Sequence, residues 1–415
     1  MTPSLYLFDD EVARSWEPFS LTRPVGELLF GAFLLRERAQ RYWGSPCSGH
    51  LSGPVLEGFS EPSAPPVLYP GAIPQGNSRI FQSSRAVLSP SSAAVSAASA
   101  GLDTRKRTTL LLEGEIVGWI LPPGDPSPPW ELFLNPAPLP GSISVEVSGR
   151  MLGAVWDLMD QNADQLREDI PRHFPDHAVG KLSGCHVLGD GMLSVGSEVT
   201  VEPGSVFDLS GGPVRLSQGV VIRAHTRLEG PAFVGPGSVI LGGALSRTSM
   251  GPVCKIRGEV EASVILGYSN KAHDGFLGHA YLGRWVNLGA FTTNSDLKNN
   301  YGPVRVGRPG GTVETGLLKV GCFLGDHVKT GIGTVFNTGT TVGAGSNLFG
   351  GRMPPSYVPP FSWGAGSDLT EYRIEPFLEV ASRSMARRGV ELEPEMAAVL
   401  RRAWDATRLL RHHGK

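Results

Sequence analysis

The sequence predicts two architectures in one chain: a mixed α/β unit, then a parallel β-helix of hexapeptide repeats followed by a C-terminal helical cap. A six-residue period and a turn-rich composition carry that reading. Leu216, Ile222, Leu228, Val234 and Ile240 step by six, as do Phe276, Leu282 and Leu288, and again Leu324, Thr330, Phe336, Val342 and Leu348. Glycine often follows, as in Val234-Gly235, Leu282-Gly283 and Val342-Gly343. Alternation by two marks a half-buried strand and a 3.6 period marks a helix, so six fits neither. Six residues form one flat side of a triangular coil with the apolar residue inward, and stacked coils bury a continuous narrow core. The 54 glycines and 34 prolines, with only 18% charged residues, suit a chain of many turns and few long helices.

Residues 1–175 read as the α/β domain. "SLYLFD" is a short apolar strand, and "VGELLFGAFLLRERAQRYW" has helical spacing of apolar residues with basic ones late. "SEPSAPPVLYPG" and "LSPSSAAVSAASAG" read as loops or small-residue helix starts. "TTLLLEGEIVGWILPPG" reads as two strands around a turn, and "VWDLMDQNADQLREDIPRHF" as a helix closed near Pro171. Residues 184–366 are assigned to the coil. Residues 367–415 are assigned to a cap, because coil ends need covering and "EPEMAAVLRRAWDATRLLRHH" is an amphipathic basic helix.

Composition excludes some functions. A net charge of −2 gives no global pull toward nucleic acid or an anionic membrane. No uninterrupted apolar run reaches the ~18 residues of a membrane span. The opening "MTPSLYLFDDEVARSW" is acidic early and lacks the basic-then-apolar order of a signal peptide, so the cytoplasm is the expected compartment. Cys47, Cys185, Cys254 and Cys322 lie far apart and read as reduced thiols, with neither a disulfide frame nor a zinc motif.

The polar stretch "GYSNKAHDGFLGHAYLGRWVNLGAFTTNSDLKNNYG" leaves the coil and returns to its phase at Phe276. Interruptions of stacked coils gather on one face and often bind ligands. Together with "GPVCKIRGEVEASVILGYSN", "GCFLGDHVKTGIGTVFNTG" and the opening "LFDDEVARSWEPFSLTRPVGELLFGAFLLRERAQRYWG", it resembles a divergent branch of the GlmU-like family. The resemblance spans nearly the whole chain, specific in the coil and looser between residues 45 and 150. It implies a nucleotidyltransferase domain joined to a left-handed β-helical acetyltransferase domain. The implied chemistry is acetyl transfer from acetyl-CoA to an amino-sugar-1-phosphate such as glucosamine-1-phosphate. Nucleotidyl transfer from UTP or dTTP with Mg²⁺ would give UDP-N-acetylglucosamine or a relative.

Residue by residue, the resemblance makes His273 the base that takes the amine proton, a role suited to a side chain titrating near neutral pH. Phe276 matches a sugar-contacting tyrosine and lacks its hydroxyl. Asn287 matches a substrate-binding asparagine. Ala290, Ile332 and Gly350 are expected along the acetyl-CoA site, where Phe291 replaces the family's usual glycine. The family's Asn-Tyr-Asp-Gly is absent, and Asn294, Asp296, Lys298 and Tyr301 are the candidates for an alternative sugar-phosphate pocket. Lys271 and Lys319 are candidate phosphate partners.

The first half has no Gly-x-Gly-Thr-Arg loop. The Thr-Arg-Pro turn stands in that place, which would set Arg23 and the amides of Val25–Glu27 at the triphosphate. Arg79 is a second phosphate candidate. Asp9, Asp10, Asp157 and Asn162 are candidates for Mg²⁺, Asp157 and Asn162 foremost. Expected partners are the sugar phosphate and a nucleoside triphosphate, and the expected assembly is a homotrimer sharing its acetyl-transfer sites. Trp285, Phe291 and Phe336 are candidates for its apolar contacts, although the phase also allows Phe336 an inward position. Three rivals stand beside this reading: a nucleotidyltransferase whose coil only oligomerises or regulates it, a zinc hydratase using His273, His279 and His327 at a subunit interface, and a non-enzymatic scaffold.

Overall fold

The computed structural model describes residues 2–89, 103–175 and 182–412. Most of the expected "LSPSSAAVSAASAG" segment lies outside them.

The first half is built on a six-stranded mixed sheet in the order Cys47–Leu51, Ser4–Phe8, Arg79–Ser83, Glu115–Leu121, Thr108–Leu112, Ile143–Glu146. Alternation in Ser4–Phe8 sends Leu5 and Leu7 to a cluster with Ala39, Tyr42 and Trp43, and Tyr6 and Phe8 to one with Phe81, Trp119 and Phe133. The expected strand pair is the hairpin Thr108–Leu112/Glu115–Leu121, turning on Glu113 (φ 52) and Gly114 (φ 83). Both φ values are positive, as a two-residue type I′ turn requires.

Two sequence expectations are corrected here. Only Leu35–Trp43 of "VGELLFGAFLLRERAQRYW" is α-helix, because Leu29–Phe30 and Phe33–Leu34 form a small hairpin over Gly31 (φ 63). The expected single helix over "VWDLMDQNADQLREDIPRHF" is two, Asp157–Asp160 and Asn162–His173, the second ending near Pro171 as expected.

From His186 onward the chain forms the parallel coil. The first face stacks nine parallel strands, from Leu193–Val195 to Tyr357–Val358. The second runs from Thr200–Val201 to Ser362–Ala365, and the third from His186–Leu188 to Val335–Phe336. Register aligns Val234, Met250, Ile265, Leu282, Leu324, Val342 and Val358 along the interior of the first face. Leu277, not the expected Phe276, fills the core, and the core spacing also departs from six between Ile240 and Ile265, through Leu245, Met250, Ile256 and Val260. The corners need left-handed backbone, and bulky residues supply much of it, including Tyr268 (φ 53), His279 (φ 46), Trp285 (φ 62), Phe291 (φ 59) and His327 (φ 60).

The outward row of the first face is also largely apolar. Phe233, Val264, Tyr281 and Phe323 turn away from the coil's core, and the first half docks there. Trp16, Phe19, Leu29 and Phe30 pack on Val264, Tyr281 and Phe323, together with Val304, Val306 and Val320 from a coil excursion. The Tyr281 hydroxyl accepts from Leu29 N at 2.8 Å and donates to Leu29 O at 3.0 Å. The helices Ile374–Ala386 and Pro394–Ala406 lie along this seam, sharing a cluster with Leu56, Phe59 and Phe361.

Candidate active site

The corner between the second and third faces carries His273. Pairing sets Lys271 opposite Ile256, so lysine occupies an interior register. Its Nζ donates to the carbonyls of Arg257 (2.8 Å) and His273 (3.0 Å). Gly258 (φ 93) makes this route possible, because a Cβ there would lie 2.8 Å from Nζ. Burial draws the ammonium down to about 8 against the pull of Asp274. Lys271 therefore pins the turn bearing His273, which corrects its expected role as a phosphate partner. His273 itself is exposed, and among the described residues its ring has no hydrogen-bond partner.

The same corner recurs on the following coils. Phe291 N donates to Asp274 O (2.9 Å), Gly333 N donates to Ala290 O (2.8 Å), and Gly331 packs beside Phe349. His273, Ala290, Ile332 and Gly350 thus share one edge on successive coils. Phe291 is 64% exposed and Ile332 74%. Trp285 and Phe336 are buried, so the expectation that they are surface apolar contacts is corrected, and Phe336 takes the inward alternative.

The expected sugar-phosphate pocket is not gathered in one place. Asn287 lies on the second face, its Oδ1 accepting from Asn270 (3.0 Å). Asn294 lies on the third face, accepting from Gly278 N (3.0 Å) and donating to Gly278 O (2.9 Å), so its amide completes the coil's backbone pairing. Phe276 is half-buried, with its ring over Gly278. Asp296 meets His279 Nδ1 at 2.8 Å; burial raises this carboxyl, but the His279 hydrogen bond and charge outweigh it and hold it low. Lys298 bonds Pro303 O (2.5 Å), Tyr301 is exposed, and Lys319 stands 3.7 Å from Glu261.

His273, His279 and His327 occupy three different corners. His327 is sealed against Trp285 and Phe377, where burial foremost, assisted by Lys329, holds it at about 3. Among the described residues no three His, Cys, Asp or Glu side chains are grouped to hold a metal.

In the first half, Arg23 is 1% exposed and fully engaged. Nε meets Asp326 at 2.9 Å, and the two terminal nitrogens fork onto Glu61 at 2.9 and 3.0 Å. Thr22 Oγ1 and Arg284 N also donate to Asp326, and the Arg284 side chain pairs with Glu61 at 2.7 Å. Gly283 leaves room, since a Cβ would fall 2.5 Å from Asp326 Oδ1. Burial raises Asp326, yet Arg23 and Thr22 hold it below the usual range. Arg23 thus latches the first half to the coil, correcting its assignment to phosphate, and Val25 N points at Asp9 (3.2 Å).

Arg79 begins its strand, opposite Ser4, and contacts Ser127 (3.2 Å) and the carbonyl of Asp125. Ligands of open α/β sheets gather at the other, carboxyl end. Asp157 accepts from Gly153 N (2.7 Å) and Ala154 N (2.9 Å), and Asn162 Oδ1 accepts from Gly31 N (2.9 Å) and Ser249 Oγ (3.0 Å). These two oxygens serve local structure, which corrects their assignment to metal. The carboxyl end instead gathers Asp9, Asp10, Ser52, Ser83 and Arg85. Asp10 is gripped by Arg85 (2.8 Å), while Asp9 Oδ1 is buried without a hydrogen-bond partner among the described residues and burial raises its carboxyl. The sequence signal was the Asp9-Asp10 pair directly after an apolar strand.

The sugar nucleotidyl transferase family profile matches residues 5–174. A bifunctional sugar-1-phosphate nucleotidylyltransferase/acetyltransferase of Sulfurisphaera tokodaii is 33% identical over 95 residues, 23% of this chain and 24% of that one. The bifunctional protein GlmU of Methanocaldococcus jannaschii is 30% identical over 197 residues (46% and 41%), and that of Nitrosospira multiformis 27% over 224 residues (47% and 45%). The chain therefore spans less than half the length of these relatives. Among solved structures, the UDP-N-acetylglucosamine acyltransferase from Campylobacter jejuni aligns at 11% identity and a TM-score of 0.24, covering 53% of this chain and 94% of that one. The coil is established by its own strand pairing. With that coil beside the matched first half, the chain is consistent with a divergent GlmU-like family.

Proposed function

We propose that the chain is a two-part sugar-nucleotide transferase divided as 1–175, 184–366 and 367–415. The coil would transfer an acetyl group from acetyl-CoA to the amine of an amino-sugar-1-phosphate, glucosamine-1-phosphate being the leading candidate. The first half would transfer a nucleotidyl group from UTP or dTTP at the carboxyl end of its parallel strands. One observation carries the acyl-transfer reading: an exposed His273, without a ring partner among the described residues and on a turn pinned by Lys271, heads the edge shared with Ala290, Ile332 and Gly350.

His273 would accept a proton from the sugar amine as its nitrogen attacks the thioester carbonyl, and would return that proton to sulfur as the carbon–sulfur bond breaks and coenzyme A leaves as the thiol. Lys271 supplies rigidity, since a base must sit within hydrogen-bond reach of its proton. Asp157 and Asn162, the residues assigned to Mg²⁺, do not fit it, being committed to the backbone and Ser249, and Asp10 is committed to Arg85.

The test assays coenzyme A release and pyrophosphate release separately, on glucosamine-1-phosphate, galactosamine-1-phosphate and their acetylated forms. His273→Ala should lower coenzyme A release ~10²–10⁴-fold and leave pyrophosphate release within a few-fold. Wild-type coenzyme A release by the variant would remove His273 from the chemistry. Pyrophosphate release without any coenzyme A release in the wild type would favour a coil that only assembles or regulates the first half.

A further inference from the structure

The second face carries an outward polar row, Lys255, Asn270, Asn287 and Lys329, aligned by strand pairing and bridges. Facing it are Arg387 and Arg388 at the end of the Ile374–Ala386 helix, across a cavity of about 460 Å³. Basic residues at a helix C-terminus are ordinary, because they complement its partial negative charge. Two lysines presented to them by a different element are not, since converging like charges repel. Among the described residues no carboxylate lines this cavity, and none of the four cations forms an ion pair. Arg388 is steadied by Val253 O at 2.8 Å. Burial draws the half-buried Lys329 ammonium down to about 8, with no anion opposing it. The stacked rings of Tyr268 and Trp285, 4.4 Å apart, form part of the wall.

We infer that this cavity binds a phosphorylated small molecule of nucleotide size, its phosphate oxygens neutralised by Lys255, Lys329, Arg387 and Arg388. The volume falls in the ~300–1,000 Å³ range of small-molecule sites and exceeds what a single phosphate fills. Charge-assisted contacts to phosphate are the strong hydrogen bonds, which gives four convergent donors a common purpose. A nucleotide, a nucleotide sugar and coenzyme A all present that chemistry. Binding is read without turnover, so this site and the acyl-transfer reading fail independently.

Calorimetric titration at low salt, with inorganic pyrophosphate, UTP, UDP-N-acetylglucosamine and coenzyme A as probes, tests the site. At least one probe should bind the wild type and lose tenfold or more in affinity in a Lys255→Ala/Arg387→Ala double variant. Both of those side chains are exposed, so an unchanged melting temperature is expected to accompany the loss. Lys329→Met should weaken the same probe. The probe affected identifies the source of the phosphate, and a nucleotide held by the first half persists in the variants as a separate stoichiometry. If every probe binds the double variant as tightly as the wild type, or none binds below millimolar concentration, the site is refuted.

Discussion

Arg23 shows how one side chain can be legible in type and misleading in role. A Thr-Arg-Pro turn before a helical turn resembles a phosphate cradle, yet the two carboxylates that claim this arginine lie 38 and 303 residues away in sequence. No local pattern reveals such partners. Removing one member of a buried, paired cluster leaves uncompensated charge, which costs about 3–5 kcal/mol. Arg23→Ala should therefore lower unfolding free energy by that order in a urea titration, and wild-type stability would return it to the phosphate reading. His327 gives a pH test. Its folded value of about 3 lies below the ordinary 6.5, so the unfolded chain takes up the proton first and stability falls as pH drops through 6.5 toward 3. Between pH 6.5 and 5 this amounts to about 2 kcal/mol. Asp326, Arg23 and Lys329 are the charged groups around it. The unfolding free energy of His327→Leu should lack this slope relative to wild type, a difference that separates it from His173, which burial also lowers.

Among the elements, periodicity was readable where one constraint dominated and unreadable where two competed. The six-residue phase follows from filling a narrow core, so Leu282 to Leu288 and Leu324 to Leu348 fell into place. On the third face the left-handed residue follows the core position by two, as in Leu245–Arg247, Val260–Ala262 and Leu277–His279, so the step to the next face is five and the core position lies at Leu277. The 25–35 segment has helical spacing, but Leu29 and Phe30 spend their apolar surface on the coil, a tertiary demand that overrides local preference. The helix Ile374–Ala386 escaped notice because its buried face, Phe377, Leu378, Ala381 and Met385, sits in a short amphipathic run beside a proline. The docking row did leave a trace: "AFV", "VIL", "YLG" and "CFL" put apolar residues at adjacent outward and inward positions, where a solvated face would alternate. Tyr281→Phe tests the row's polar anchor. It leaves Leu29 N and O buried without their partner, which costs about 1–3 kcal/mol. Urea unfolding should show that loss, and an unchanged midpoint would assign the anchoring to packing alone.

For the whole molecule, the first face is occupied by the first half and part of the second by the C-terminal helices. The edge with Phe291, Ile332 and Phe349 stays apolar and open to solvent. Cyclic packing of three copies would cover it and supply each His273 edge with a neighbouring wall. Light scattering should then report a trimer, and Phe291→Asp/Ile332→Asp should release monomers that keep pyrophosphate release; a wild-type monomer fully active in acetyl transfer would exclude the shared site. The docking row has a consequence for biosynthesis. Tyr281 follows Leu29 by 252 residues, so the nascent first half emerges long before the strands that will shelter it. At ribosomal rates of ~5–20 residues per second, that interval is roughly 13–50 seconds. Throughout it Trp16, Phe19, Leu29 and Phe30 await their covering strands. A ribosome that stalls or terminates before Tyr281 releases a polypeptide bearing an adhesive surface, and truncated products of that length should collect in the insoluble fraction or on chaperones.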